Sequence, residues 1–419
     1  MLVVGDRQGD AQNLSAFRQL DGGAGGRRVA LGGADGRLLL AGGAGGRRGD
    51  CVKIAGLVHI DRDFWRGRRV LVTGHTGFKG AWLSLWLQSL GAQVSGLAAG
   101  VPTRPSLYEL ARAGEGVREH TADVRDAAAV RHAFAQARPE VVLHLAAQPM
   151  VRRSLRDPAL TYEINVIGTV NVLEAARDAG GAVRAVVVVT SDKCYENRPG
   201  TPRRFVEGDP LGGADPYSSS KACAELVTSA YRRSFFAAAG AARIASARAG
   251  NVIGGGDWGE DRLLADVLRA VEAGSQLLVR NPHSVRPWQH VLNPVGGYLL
   301  LAERLCSDDG ADAARAWNFG PRAEDEQPVI AVLEQLDELW HGELRWRLDE
   351  SAANPPEAGY LALDSSAAER ELGWRPACDL HAALALTVAW HRARRAGEDM
   401  REVSIAQIRE LADGARLRR

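Results

Sequence analysis

The 419-residue sequence predicts an α/β fold in which a doubly wound parallel sheet is followed by a smaller C-terminal lobe. Between residues 68 and 250, short apolar runs typical of buried strands alternate with longer stretches of helical periodicity. Such alternation places the strands in one parallel sheet with helices on both faces. After residue 250 the alternation weakens, and segments rich in Pro, Trp and Arg indicate a lobe that closes over the sheet.

The individual elements follow from the spacing of the apolar residues. The first strand is predicted at 69–73, where Arg-Val-Leu-Val-Thr is followed at once by a glycine-rich turn. A helix at 81–90 comes next, because its apolar residues fall on one helical stripe. Further strands are predicted at 93–97, 140–146 and 185–190, and further helices at 125–138, 160–179, 326–339 and 379–397.

The first 60 residues differ in composition from the rest. Gly-Gly-Ala-Gly-Gly-Arg-Arg occurs at 22–28 and again at 42–48. Because glycine-rich chain loses much entropy on ordering and has little apolar surface to bury, we expect a disordered leader at 1–60. The alternatives are an RNA-binding tail, disfavoured because no aromatic residues interleave with the arginines of the repeated stretch at 22–48, and a start codon assigned too far upstream. We expect a sheet domain at 64–250, a smaller, partly interleaved lobe at 251–400 and a C-terminal tail at 401–419.

Charge and cysteine usage favour a cytoplasmic protein. The 52 basic and 51 acidic residues give a formal net charge of +1, so no overall field attracts nucleic acid or an anionic membrane. We find no apolar run of the ~18 residues that would span a bilayer, and the first residues lack the pattern of a signal peptide. The five cysteines are an odd number without metal-type spacing, which is typical of a reducing compartment and predicts no metal site.

A glycine motif follows the first predicted strand. In Thr73–Gly80, the glycines at 74, 77 and 80 recur at every third residue. Glycine permits a tight turn and lets the backbone approach a pyrophosphate, which the following helix N-terminus stabilises. A plain strand–helix turn is the alternative, but the strand–turn–helix context favours dinucleotide binding. The sheet domain is therefore predicted to be a dinucleotide-binding Rossmann domain.

The choice between NAD and NADP stays open. The dinucleotide motif usually includes an acidic residue about 20 residues further on, which binds the ribose hydroxyls. Residues 81–108 contain no Asp or Glu, and the nearest polar candidates are Ser95 and Arg104.

Lysine is rare in this chain, and its positions are informative. Among the 52 basic residues, the lysines are Lys53, Lys79, Lys193 and Lys221. A lysine retained among so many arginines suggests a site that needs a compact, titratable ammonium. Tyr217 and Lys221 lie four residues apart and share one helix face, where the ammonium would lower the pKa of the phenol and make it a competent base. Tyr-x-x-x-Lys alone is common on helix surfaces, and the glycine turn strengthens the interpretation.

A second set of polar residues follows the strand at 185–190. Ser191, Asp192 and Lys193 place a hydroxyl, a carboxylate and an ammonium at one strand end. Ligands in parallel sheets lie beyond the carboxyl ends of the strands, so these side chains are catalytic candidates. The alternative is a solvated strand–loop junction.

Together these motifs resemble the extended short-chain dehydrogenase/reductases that act on nucleotide sugars, within them the 4,6-dehydratases, and most closely the CDP-glucose group. The resemblance runs from about residue 64 to about residue 395. Its motifs are Thr73–Gly80, Asp123-Val124, His144–Ala147, Ala147–Arg152, Ser191–Lys193, Tyr217-x-x-x-Lys221, Arg248–Trp258 and Arg286–Val291.

The resemblance implies conversion of CDP-glucose to a 4-keto-6-deoxy sugar and water, in deoxysugar and O-antigen-type (lipopolysaccharide) biosynthesis. Tyr217 would take the proton of the 4-hydroxyl, Lys221 would hold the cofactor ribose, and Ser191 would hydrogen-bond the 4-oxygen. Asp192 would protonate the departing 6-hydroxyl. Lys193 stands where dTDP-glucose relatives have glutamate. It would either remove the C5 proton as a neutral amine or, when charged, stabilise the enolate.

The resemblance also implies binding residues and an assembly. Cofactor-binding positions are Gly74, Thr76, Gly77, Phe78, Gly80, Asp123, Val124, Ala146, Ala147, Tyr217 and Lys221; substrate-binding positions are Gln148, Arg152, Asn251, Arg286 and His290. A satisfied structural histidine is the alternative for His290. Family members commonly pair through two helices, so we expect a homodimer or a dimer of dimers. The rival functions are another nucleotide-sugar 4,6-dehydratase, a 4-epimerase, or a non-catalytic dinucleotide-binding regulator.

Overall fold

The computed structural model describes residues 60–198, 203–349 and 360–413. Apart from its last residue, the expected leader at 1–60 lies outside these ranges, as does the end of the expected tail at 401–419. Across the described ranges, no helix combines the length and the apolar character needed to cross a membrane.

Strands and helices alternate through most of the described chain. The strands are β1 (Arg69–Thr73), β2 (Gln93–Ala98), β3 (Arg118–Thr121), β4 (Val141–His144), β5 (Ala185–Val189), β6 (Arg204–Phe205), β7 (Arg243–Arg248), β8 (Val252–Ile253), β9 (Gln276–Val279), β10 (Val285–Pro287), β11 (Gln289–His290), β12 (Ala316–Asn318), β13 (Glu326–Pro328), β14 (Arg345–Leu348) and β15 (Ala362–Leu363). The helices are α1 (Arg62–Trp65), α2 (Phe78–Ser89), α3 (Leu107–Leu110), α4 (Ala127–Ala137), α5 (Val151–Arg156), α6 (Pro158–Tyr162), α7 (Gly168–Asp178), α8 (Pro216–Phe235), α9 (Leu263–Ala273), α10 (Leu292–Cys306), α11 (Val329–Leu339), α12 (Leu380–Arg395) and α13 (Met400–Asp413).

The central sheet has seven strands in the order β12-β7-β5-β4-β1-β2-β3, and every pairing is parallel. The predicted doubly wound sheet is therefore confirmed. At its carboxyl edge, Thr73 of β1 lies opposite His144 of β4 and Leu97 of β2. The order reverses at β1 and β4, and this is the point where open α/β sheets bind ligands.

Each face of the sheet has its own apolar core. On β5, Val187 and Val189 pack into the core of one face, and Val186 and Val188 pack into the other. Strands buried on both faces appear as continuous apolar runs, because side chains alternate between two equally dry surfaces. This explains why Ala185–Val189 is recognisable as a strand from the sequence alone.

The smaller lobe and the sheet domain exchange elements. Strand β12 extends the central sheet by pairing with β7, although it comes after residue 250. In the other direction, β6 precedes α8 in the chain and pairs with β15.

The segment expected as a C-terminal tail begins with α13, which packs on α2 and α12. There, Arg401 Nη2 donates to Gln88 Oε1 at 2.9 Å.

Candidate active site

The glycine turn between β1 and α2 is closed by backbone contacts that a side chain would obstruct. Gly74 has φ +73°, and a Cβ there would lie 2.8 Å from the amide nitrogen of Ala146. A Cβ at Gly80 would overlap the carbonyl oxygen of Gly74. Helix α2 starts after Gly77 without a side-chain cap, so its first N–H groups remain available to a ligand. An uncapped helix end behind a glycine turn fits the pyrophosphate of a dinucleotide.

Hydroxyl groups hold the strand ends around this turn. Thr73 Oγ1 lies 2.7 Å from His144 Nδ1 and accepts from the Ala146 N–H at 3.2 Å, joining β1 to the end of β4. Thr76 Oγ1 donates to the carbonyl of Gly100 at 2.6 Å, joining the turn to the loop after β2. Thr76 and Ala146 therefore lie at the sheet edge where the sequence predicts the cofactor.

Asp123 and Val124 follow β3 and have different surroundings. The Asp123 carboxylate accepts from the Arg125 N–H and guanidinium, both at 2.9 Å, and these hydrogen bonds hold its pKa below the ordinary value. Val124 is buried against Gly168 at the start of α7. In this structure Asp123 is thus engaged by Arg125, and its contact with adenine stays a prediction.

The structure limits the candidates for the cofactor ribose. Ser95 is buried within β2, with 8% of its surface exposed. Arg104 is exposed and forms an ion pair with Glu109 at 3.2 Å. Ser95 lies three residues before the end of β2 and Arg104 is paired with Glu109, so neither residue decides between NAD and NADP.

A tight turn after β5 holds the three candidate catalytic residues, Ser191–Lys193, which are called the triplet below. Ser191 Oγ donates to Asp192 Oδ1 at 2.9 Å and accepts from the Lys193 N–H at 3.2 Å. Asp192 is 2% exposed, and its Oδ2 has no hydrogen-bond partner among the described residues. Burial raises the pKa of Asp192, although Lys193, Ser191 and Arg286 oppose that effect. A raised pKa favours the protonated form of a carboxyl, and the protonated form is the one that can donate a proton.

Helix α8 presents the tyrosine and the lysine one turn apart. Asp215 caps its N-terminus by accepting from the Ser218 N–H at 3.0 Å, and Pro216 occupies the first helical position. Tyr217 and Lys221 are 8% and 6% exposed, and Lys221 Nζ donates to the carbonyl of Val189 at 3.4 Å. The helix therefore places Lys221 against the end of β5, next to the triplet.

The pKa of Tyr217 reflects its burial. Burial raises it to about 12, and the charge of Asp192 adds to that effect. A hydrogen bond with Ser191 and the charge of Arg262 act in the opposite direction. Burial also lowers the pKa of Lys221 to about 8. Burial therefore dominates the pKa of Tyr217 in this structure, and the expected lowering of that pKa by Lys221 stays a prediction.

Two further basic groups reach the site and were not predicted. Lys79 Nζ donates to Tyr298 Oη at 3.2 Å. Burial, with the charges of Arg262 and Lys221, lowers the pKa of Lys79 to about 7. Arg262 is held by Asp257, with Nη1 and Oδ2 2.7 Å apart. The rarity of lysine was a signal for Lys79, whereas one arginine among many gave none for Arg262.

The predicted diphosphate-binding residues lie beside Asp192. Arg286 on β10 is 5% exposed, and its charge lowers the pKa of Asp192. Gly250 packs so tightly that a Cβ there would lie 2.9 Å from Asp192 Oδ2, and Asn251 follows it directly. Arg286 therefore lies close enough to Asp192 to affect its pKa, and the substrate contacts of Asn251 and Arg286 stay predictions.

Three weaker candidates have internal partners. The Gln148 side chain donates to Thr161 Oγ1 at 3.0 Å and accepts from the Met150 N–H at 2.6 Å, so it shapes the loop after β4. Arg152 forms an ion pair with Asp261 at 3.1 Å. His290 is fully buried, and burial lowers its pKa to about 3, so it is neutral. Across the described residues, no cluster of three or more His, Cys, Asp or Glu side chains could hold a metal ion.

Comparison with known proteins identifies the family. A family model described as GDP-mannose 4,6 dehydratase matches residues 71–387. The chain belongs to this dehydratase family. It is 49% identical over 358 residues to the CDP-glucose 4,6-dehydratase of Salmonella typhimurium, an alignment that covers 84% of this chain and 98% of that protein. A dTDP-glucose 4,6-dehydratase of Shigella flexneri is 27% identical over 350 residues, covering 78% and 93% of the two chains.

Solved structures of related enzymes have the same fold. A dTDP-glucose 4,6-dehydratase of Streptomyces venezuelae, crystallised with NAD, superposes with a TM-score of 0.66 at 26% identity, covering 79% of this chain and 99% of the other. A UDP-glucose 4-epimerase of Thermus thermophilus in complex with NAD gives the same TM-score and identity over 77% and 99%. Because dehydratase and epimerase match equally well as folds, the side chains of the site must distinguish the reactions.

Proposed function

We propose that this protein is a CDP-glucose 4,6-dehydratase, which converts CDP-glucose to CDP-4-keto-6-deoxyglucose and water. The observation that carries the proposal is the placement of Asp192 beside Ser191 and Lys193, as a buried carboxyl with a raised pKa. Loss of the 6-hydroxyl requires a proton donor at that oxygen, whereas 4-epimerisation leaves the 6-hydroxyl in place and needs no donor there. The 49% identity to the Salmonella CDP-glucose enzyme supports CDP-glucose as the substrate.

NAD is the cofactor we propose, as in the related crystal structures. The uncapped N-terminus of α2 and the glycines at 74, 77 and 80 would hold its pyrophosphate, and Lys221 would hold its nicotinamide ribose. The chemistry that NAD supplies is reversible acceptance of hydride, so the reaction needs no external reductant.

The side chains of the site divide the proton transfers among them. Tyr217 takes the proton of the sugar 4-hydroxyl. The Ser191 hydrogen bond and the Arg262 charge favour this role, because they partly offset the burial that raises the Tyr217 pKa. The resulting 4-ketone acidifies the hydrogen at C5. Asp192 then donates its proton to the 6-hydroxyl as water leaves. Lys193 lies next to Asp192 and either removes the C5 proton or stabilises the enolate.

The test is incubation of the purified protein with CDP-glucose, without added reductant, followed by mass spectrometry of the sugar nucleotide. Parallel reactions contain dTDP-glucose and GDP-mannose. We expect loss of one water from CDP-glucose alone. Loss of water from only one of the other two nucleotide sugars would show that this sugar, and not CDP-glucose, is the substrate. An isomer of unchanged mass would indicate an epimerase.

The assembly and the compartment belong to the same proposal. Ile167 and Leu226 are 49% and 58% exposed, at the start of α7 and on α8, and these apolar side chains support pairing of two copies through these helices. Light scattering coupled to size exclusion would distinguish a monomer from a dimer or a dimer of dimers. The free thiols of Cys194, Cys306 and Cys378 support a cytoplasmic location.

A further inference from the structure

A buried carboxylate lies one turn beyond Lys221 on helix α8. Glu225 follows Lys221 by four residues, so the two side chains share one face of the helix. They are 3% and 6% exposed. The mechanism above gives Glu225 no role, and a fully desolvated carboxylate is costly unless its environment compensates for it.

The Glu225 carboxylate accepts hydrogen bonds from two strands of the sheet. Thr190, the residue directly before Ser191, donates to Oε1. From β7, Ser246 Oγ and Arg248 Nη2 donate to Oε2 at 2.7 and 2.8 Å. One side chain thus connects the helix that carries Tyr217 to the strand end that carries the triplet.

Arg248 anchors this connection from the other side. It is 4% exposed, and its Nη1 donates to Tyr195 Oη at 2.7 Å and to the Glu207 carbonyl at 3.0 Å. Tyr195 Oη donates in turn to Asn318 Oδ1 at 2.7 Å. Buried ion pairs are weak contributors to stability, since apolar residues of equal volume often serve as well. Stability alone is therefore a poor reason for a buried pair at this position.

The charges around Lys221 explain why the Glu225–Arg248 ion pair is buried at this position. The ionisable groups that face Lys221 are Glu225 on α8, Cys194 after β5, Lys79 on α2 and His144 on β4. The ionisable groups that face Glu225 are Arg248 on β7, Arg232 on α8 and Cys194 after β5. Burial raises the pKa of Cys194 and lowers that of His144 to about 3, so both are neutral. Glu225 is the anion that offsets the burial of Lys221 and the nearby charge of Lys79.

We propose that Glu225 is a positioning residue of the dehydration site, which fixes α8 against the ends of β5 and β7 and keeps Lys221 charged. The inference rests on the proposed function and deepens it. Glu225 acts through Lys221 and Thr190 and does not contact the substrate.

The test measures the ionisation of Lys221 directly. Because the chain has four lysines, protein labelled with carbon-13 at the lysine side chains gives few NMR signals, and Lys221→Met identifies the one required. The full chain, with NAD added, is titrated as wild type and as Glu225→Gln. We expect the substitution to lower the Lys221 pKa by about one unit, because it removes the opposite charge that raises this pKa from the same helix face. The alkaline limb of the kcat–pH profile for CDP-glucose should move to lower pH, with KM unchanged.

Two variants separate charge from geometry. Glu225→Asp retains the carboxylate but withdraws it from Thr190 and Ser246, so kcat should fall while the Lys221 pKa stays close to that of the wild type. Glu207→Gln is the matched control. Its carboxylate accepts from the Asn318 N–H near Arg248, and its loss should leave the Lys221 pKa unchanged.

Each outcome decides the proposal. If Glu225→Gln does not fold, the double variant Glu225→Gln/Arg248→Gln removes both charges and should still lower the Lys221 pKa, by less. A folded variant with an unchanged Lys221 pKa and an unchanged pH profile would overturn the role of Glu225. If the wild type does not dehydrate CDP-glucose, the proposed function fails, whereas the NMR titration still tests Glu225.

Discussion

Replacing Asp192 by Asn isolates the proton donor of the dehydration. Asp192 is 2% exposed, with Oδ1 hydrogen-bonded by Ser191 and Oδ2 without a partner among the described residues. Burial raises the pKa of this carboxyl. Asn has nearly the same volume but no acidic proton, so the substitution should preserve packing while it removes the acid.

General acid catalysis contributes about 10²- to 10⁴-fold, or about 3–5 kcal/mol of activation free energy. Water loss by Asp192→Asn should slow by that factor, whereas exchange of the C5 hydrogen with solvent should continue, since it precedes departure of the hydroxyl. Because the acid must be protonated, the wild-type rate should fall as pH rises through the Asp192 pKa. That limb should disappear in the variant.

Mass spectrometry of the sugar nucleotide in deuterated water measures both steps at once. Asp325→Asn is the control, since Asp325 is also buried but accepts from the Leu380 N–H at 2.8 Å, and it should leave water loss unchanged. Water loss at the wild-type rate in Asp192→Asn would refute the assignment. Parallel loss of C5 exchange would refute it as well.

Three further predictions concern other parts of the molecule. Gly80→Ala places a Cβ on the Gly74 carbonyl, so it should cost about 1–3 kcal/mol of unfolding free energy and weaken NAD binding at least about tenfold, measured by denaturant unfolding and calorimetric titration. Lys193→Met should abolish C5 exchange in deuterated water, and exchange at the normal rate would contradict both proposed roles. Burial raises the pKa of Glu303 from 4.5 to about 7, so its stabilising contribution, present at low pH, is lost as pH rises toward 7. Glu303→Gln should therefore remove about 3 kcal/mol of pH-dependent stability, seen as a flatter dependence of unfolding on pH.

Local motifs were predictable from the sequence because the residues that form them lie only a few positions apart. The glycines at 74, 77 and 80 occupy one turn between a strand and a helix, and Tyr217 and Lys221 occupy one turn of α8. Ser191–Lys193 was recognisable because it directly follows an apolar run that is typical of a buried strand. In each case the residues that define the motif are fewer than ten positions apart along the chain.

The rest depends on contacts between distant segments. Glu225 meets Thr190 and Ser246 only through the packing of α8 on the sheet, and Arg262 reaches Tyr217 from the segment before α9. The sequence likewise could not show that burial would dominate the pKa of Tyr217, since desolvation depends on the whole surrounding fold.

Helix α13, unlike these long-range contacts, could have been predicted from the apolar pattern of its own sequence. Val403, Ile405, Ile408 and Leu411 give residues 400–413 an apolar side, and the segment was expected only as a tail.

The most direct test of the account uses CDP-glucose that carries deuterium at C4. The proposed reaction moves hydrogen from C4 to C6 within one active site and releases one water, without an external reductant. The proposed mechanism predicts a 4-keto-6-deoxy product that carries deuterium at C6, which NMR would locate. A product without deuterium at C6, or recovery of labelled CDP-glucose unchanged, would contradict it.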